Sequence, residues 1–154
     1  MLIAPLFPIF AITPGITPEY INLLLKQGYG DLNPAQYSLY VMQNMDMPPL
    51  NTPATLNVTT FNSPFTEYDA QDIAAYLFRL CGDQCALSPL HFLAIDRHAK
   101  KEGTILFGMS EPGDVAGKAL QFARLRPDEV NLVPIAVDLG TIGLEEIIME
   151  AGEL

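Results

Sequence analysis

Positive charge is scarce in this chain: eight Lys and Arg stand against 18 Asp and Glu, a formal net charge of -10. Nucleic acid needs a basic face to meet its phosphates, and so does an anionic membrane surface, so neither is an expected partner. Charge of either sign is thin, since charged residues make up 17% against roughly 25% in an average soluble domain. Long hydrophobic runs are also missing. Met1 to Ile12 is almost wholly apolar, but Pro5 and Pro8 interrupt it, and it falls far short of the ~20 residues that cross a bilayer. No Lys or Arg precedes Lys26, so the positive start of a secretory signal is lacking and the expected location is cytoplasmic. There are only two cysteines, Cys81 and Cys85. Their C-x3-C spacing is neither a zinc knuckle nor a thioredoxin-type pair. Two free thiols are the main expectation and fit a reducing compartment; a local disulfide is the alternative.

The common cofactor and catalytic signatures are absent as well. No G-x-G-x-x-G exists for a nicotinamide or flavin, and no G-x-S-x-G elbow presents a serine. Gly113-Asp114-Val115-Ala116-Gly117-Lys118 lacks both the first spacing of a phosphate loop and the Ser/Thr after its lysine. No His/Cys/Asp/Glu set has metal-ligand spacing. The expectation is therefore no cofactor and no metal.

What the chain does have is apolar material. Apolar residues are 49% of 154, which excludes the disordered class and fits one domain, residues 1–154. Nine of the 13 prolines lie between Pro5 and Pro64. Residues 1–55 read as a Pro-rich, apolar, helical or irregular layer, and 56–150 as an α/β core. Thr17-Pro18-Glu19 opens a helix with a cap, a proline in the first position and an acid in the first turn. A second helix is expected from Asn33-Pro34 to Met45. Leu56 to Phe61 alternates and is β-branched, so it reads as a strand. A helix from about Thr66 or Asp69 to Cys81 carries Ile73, Tyr76, Leu77 and Leu80 on one face, stopped by Gly82. Leu90–Ile95, Thr104–Met109 and Ala119–Leu125 read as strands, the first two as a hairpin or as neighbours across the turn Lys100-Lys101-Glu102-Gly103. Ser110–Lys118 is a loop. Pro127 opens a short helix, and a last helix runs from Gly143 to Ala151. The fold class expected is α/β (α+β): a small mixed or antiparallel sheet of about four strands flanked by helices, with an irregular Pro-rich N-terminal layer.

Phe92-Leu93-Ala94-Ile95-Asp96, Ile105-Leu106-Phe107-Gly108 and Arg124-Leu125-Arg126-Pro127-Asp128-Glu129-Val130, followed by Val133, Val137, Leu139, Ile142 and Leu144-Glu145-Glu146-Ile147, carry a resemblance. Residues 56–150 resemble an uncharacterised small α/β domain family of bacteria and fungi. The resemblance implies the α/β fold and no particular chemistry.

Function must then come from side-chain types. His91 and His98 are the only histidines. His98, in Asp96-Arg97-His98 at a strand end, is placed where an Asp could orient an imidazole, although a solvated turn explains it as well. The first expectation is a cofactor-free enzyme that binds an apolar small molecule and promotes an isomerisation or cyclisation, of the sort met in natural-product biosynthesis, through shape and a few donors. Tyr76, His91, His98 and Arg124 are its candidate donors; Met45, Phe61, Phe107, Met109 and Phe122 are its candidate walls. The alternative is a non-catalytic interaction module, a homodimer joined through the apolar arm Leu2–Phe10.

Overall fold

The computed structural model describes residues 5–48, 52–55, 57–81, 86–111 and 120–140. Among them, five strands make one open mixed sheet: β1 Phe7–Ala11, β2 Leu39–Val41, β3 His91–Ile95, β4 Ile105–Met109 and β5 Gln121–Leu125. Their order across the sheet is β2-β1-β3-β4-β5. β1 runs parallel to β2 and β3, whereas β3–β4 and β4–β5 are antiparallel. The expected α+β class holds, with one strand more than anticipated.

Two strands, β1 and β2, come from the supposed irregular layer, so residues before 55 belong to the same sheet as those after it. All five residues of β1 are buried, and the strand lies between two neighbours. A strand covered on both faces reads as an unbroken apolar run rather than as an alternation, which is why Phe7-Pro8-Ile9-Phe10-Ala11 looks like a free arm in the sequence. Pro8 has no N–H to give the ladder, and proline is unusual inside a sheet. The neighbouring strand accommodates it. Leu6 pairs with Leu87 and Ile9 with Leu93, so three steps on β1 correspond to six on the partner, and three residues are extra. In this detour the Leu90 carbonyl turns away from β1 and accepts from Ser110 N at 2.7 Å. Like a bulge, the detour re-aims the side chains around it, here Ser88 and His91.

Helices cover both faces. α1, Pro18–Tyr29, starts as the sequence predicts: Thr17 Oγ1 accepts from Tyr20 N at 3.1 Å, with proline at the first position. It packs Ile21, Leu24 and Leu25 into a core with Phe7, Ile9, Leu93, Ile95 and Phe107. α2, Ala70–Leu80, is closed by a reciprocal Asp69–Asp72 capping box and packs Ile73, Tyr76 and Leu77 against Phe10, Phe92 and Ala94 on the other face.

Four expectations fail locally. The helix over Asn33–Met45 is a single 3-10 turn, Pro34–Gln36, followed by β2; Asn33 caps that turn, but the chain then extends to add a strand beside β1. The strand over Leu56–Phe61 is irregular from Asn57 on, and Leu56 lies outside the described residues. Asn22 on α1 explains it: its amide donates to Val58 O and accepts from Val58 N, both at 2.8 Å, and so replaces a strand neighbour. The turn after β3 is a short helix, α3 Arg97–Glu102, capped by Asp96 Oδ1 on Ala99 N at 3.1 Å. An unforeseen helix, α4 Leu132–Asp138, follows the 3-10 turn Pro127–Glu129. Its Pro134 hides it in the sequence, but as the third helical residue that proline gives up an N–H that has no intrahelical partner anyway. Gly82, the loop at 112–118 and the helix expected from Gly143 lie outside the described residues.

Cys81 is disulfide-bonded, so the free-thiol expectation is corrected in favour of its alternative, and the thiol argument for a reducing compartment lapses. Among the described residues no helix is long and apolar enough to cross a membrane.

Candidate functional site

At the amino ends of β1 and β2 the sheet opens into a cleft of about 420 Å³. That falls within the ~300–1,000 Å³ of small-molecule sites. One wall is α4, through Leu132, Ile135 and Leu139. The other is the start of β1 and the chain before β2, through Phe7, Tyr37 and Ser38, with Asp138 at the carboxyl end of α4. A hollow of about 250 Å³ continues from it, sharing Pro5, Ala35, Tyr37 and Ser38.

The walls are fixed to each other by buried polar contacts. Asn131, immediately before α4, is fully buried. Its Oδ1 accepts from Ser38 N at 2.9 Å and from Ser38 Oγ at 2.8 Å, and its Nδ2 donates to Gln36 O at 3.2 Å. Ser38 O in turn accepts from Phe7 N at 2.7 Å. Tyr37 is held flat against Tyr29, with ring centroids 3.6 Å apart and planes 4° from parallel. The apolar side chains beside these contacts are unusually wet: Leu132 is 51% exposed and Leu139 70%.

His91 stands behind the cleft. Its ring meets Phe7 edge-on and stacks over Phe107, both at 6.0 Å, and Nδ1 lies 2.9 Å from Ser88 Oγ and 3.7 Å from Asp138 Oδ1. Burial pushes the His91 pKa below its ordinary 6.5, and Asp138 opposes that shift only in part. The ring is therefore neutral at pH 7. Ser88, His91 and Asp138 do not form a hydrolytic relay. A relay has the serine on one ring nitrogen and the carboxylate on the other, whereas both oxygens here approach Nδ1.

The remaining predicted donors scatter. Tyr76 lies on the opposite, α2 face, packed on Phe10 and Phe65, and its hydroxyl donates to Met45 O at 2.6 Å. His98 is half-exposed on α3, 4.0 Å from Glu102, so Asp96 does not orient it. Asp96 is instead gripped by Arg124 through two bonds of 2.6 and 2.8 Å, while Arg124 also donates to Thr104 Oγ1 at 3.0 Å and to Thr104 O at 3.2 Å. Burial alone would raise the Asp96 carboxyl, but the Arg124 hydrogen bonds and charge bring it below the usual carboxylate range. Arg124 thus clamps β5 to the end of β3. Of the expected walls, Phe107, Met109 and Phe61 belong to the α1-side core, Phe122 to the α2 side, and Met45 is exposed after β2. One pocket cannot hold them all. None of the predicted residues lines the cleft, and His91 alone stands directly behind it, beside Asp138; the sequence reading missed Asp138, Ser38, Tyr37, Phe7 and Asn131.

Ligands of open α/β sheets commonly sit at the carboxyl ends of the strands. Here that end offers an open hollow of about 440 Å³ along Gln43, Asn44, Met45, Asn62, Ser63 and Pro64, with no titratable group in its lining. The amino-end cleft has the enclosing walls, the carboxylate and the shifted histidine. Among the described residues no group of three or more His, Cys, Asp or Glu is placed to hold a metal ion. Compared with family models, curated proteins and solved structures, the chain matches none, and the resemblance of residues 56–150 to the small α/β family gains no support from them.

Proposed function

We propose that the protein binds an apolar small molecule in the amino-end cleft and promotes its isomerisation or cyclisation without a cofactor. The observation that carries this reading is the combination at one place of an apolar cleft of about 420 Å³, a single lining carboxylate and a buried neutral imidazole 3.7 Å behind it. Perturbed titratable groups beside an apolar pocket mark functional sites. The walls hold a flexible hydrocarbon in one folded shape, which lowers the entropic part of the barrier. Asp138 takes a proton from the ligand and returns it to the rearranged product, so the reaction is redox-neutral. Ser38 and Asn131 shape the walls.

The binding half is tested by calorimetric titration of 2-tetralol, a neutral bicyclic alcohol, into the wild type and into Ala35→Trp. Ala35 is exposed and lines the cleft, so an indole there blocks it without entering the core. One-to-one binding that disappears in Ala35→Trp supports the reading; equal binding in both proteins overturns it. For the chemical half, protein-dependent deuterium incorporation into 2-tetralone in heavy water is expected, and is lost in Asp138→Asn. Equal incorporation in that variant removes Asp138 as the base.

The dimer reading has less to support it, because Phe7–Phe10 of the arm Leu2–Phe10 is buried inside the chain's own sheet, and Leu2–Ala4 lie outside the described residues.

A further inference from the structure

The polarity of the cleft narrows its ligand. Asp138 is the one charged residue among those lining the cleft, and the adjoining hollow has none. Among the described residues, no Lys or Arg pairs with Asp138. Arg124 is bound to Asp96, and Arg126 to Asp128 and Glu129. Among the described residues the one charge partner of Asp138 is His91, whose pKa burial lowers. The whole chain carries -10, so the surrounding field does not compensate.

The position of Asp138 is also unfavourable for the helix itself. It is the last residue of α4, where the carbonyl ends of the peptide dipoles disfavour a carboxylate and favour a cation. Helix stability does not account for an acid there; a positive group in the cleft would answer both the side chain and the helix end. Tyr37, fixed on Tyr29 and lining the same cleft, adds an aromatic ring of the kind that attracts ammonium groups. Leu132, Ile135 and Leu139 provide the apolar bed.

Resting on the cleft as the binding site, we propose that the ligand is an apolar amine, protonated in water, whose ammonium pairs with Asp138 and whose hydrocarbon body lies along the exposed face of α4. Anionic molecules of the same shape bind more weakly beside the unanswered carboxylate. Asp138 is about one-third exposed, so solvent weakens the pair, and a partly exposed ion pair contributes about a threefold to fivefold gain in affinity.

The test uses three molecules of one shape at pH 8, where His91 is neutral: 2-aminotetralin as cation, 2-tetralol as neutral control and tetralin-2-carboxylate as anion. Each is titrated calorimetrically into the full chain, wild type and Asp138→Asn. The expected order in the wild type is cation, neutral, anion, with the cation about threefold to fivefold tighter than the alcohol. In Asp138→Asn the order collapses, and a far-ultraviolet circular dichroism melt like that of the wild type shows the variant to be folded. If the alcohol binds but charge makes no difference, or if the cation keeps its advantage in Asp138→Asn, the amine proposal is overturned and the cleft stands. If none of the three binds the wild type, the cleft reading falls, and this inference with it.

Discussion

Asn131→Ala should cost the protein far more than its small size suggests, because Asn131 ties the two walls of the cleft together. The substitution deletes three hydrogen bonds, two from Ser38 and one to Gln36 O. It also strands the Ser38 N–H in a site that is 9% exposed. An ordinary bond contributes about 1 kcal/mol net, and a buried donor left without a partner costs about 1–3 kcal/mol, so the loss is about 3 kcal/mol. For a chain of this length each kcal/mol shifts the melting point by about 2–4 °C, giving a fall of about 6–12 °C. Ser38→Ala removes the hydroxyl contact alone and costs about 1 kcal/mol. The assay is urea unfolding followed by far-ultraviolet circular dichroism, which suits a chain without tryptophan, with the slope against urea checked for constancy. The reasoning is refuted if Asn131→Ala costs no more than Ser38→Ala.

Three further outcomes are expected. Gly108→Ala should lose about 1–3 kcal/mol by overpacking, since a Cβ there would lie 2.3 Å from Phe92 Cζ in a fully buried ring; a melt unchanged from wild type would contradict that contact. Deleting Phe7–Ala11 should abolish the cooperative melt because it removes the strand between β2 and β3, whereas an arm used only for assembly would leave a folded monomer. Stability should fall as pH drops below 6.5. The unfolded His91 then binds a proton that the folded one, with its lowered pKa, takes up only at lower pH, so the unfolded state holds more protons and is favoured as the pH falls. Asp96, held low by Arg124, adds a second loss below its unfolded 3.8. Comparing unfolding free energies at pH 7.5 and 5.5 for wild type and His91→Gln isolates the histidine, and an equal drop in both would refute its role.

The sequence made the elements with local signals legible. α1 and α2 announce themselves through Thr17-Pro18 and Asp69, and β3, β4 and β5 through β-rich runs ending at charge or turn residues. The errors arise where tertiary partners overrule local pattern. β1 has no alternation because both its faces are covered. Asn57–Phe61 alternates but has its backbone bonded by Asn22 from α1, a partner 36 residues away for Val58. α4 is masked by Pro134. The site was less legible than the fold, because its parts come from β1, the chain before β2, the detour before β3 and α4. Only His91 carried a type rare enough to single out. Ser38 and Asn131 are common polar residues whose meaning comes from burial, and Asp138 from its place in the cleft wall, neither of which a linear pattern displays.

The central claim, that the amino-end cleft is the binding site, is tested most directly by following backbone amide shifts in nuclear magnetic resonance as 2-tetralol is added. Saturable shifts confined to Tyr37, Ser38, Phe7 and Leu132–Leu139 are the predicted result. Shifts centred on Gln43–Met45 and Asn62–Ser63, at the carboxyl ends of the strands, would contradict it.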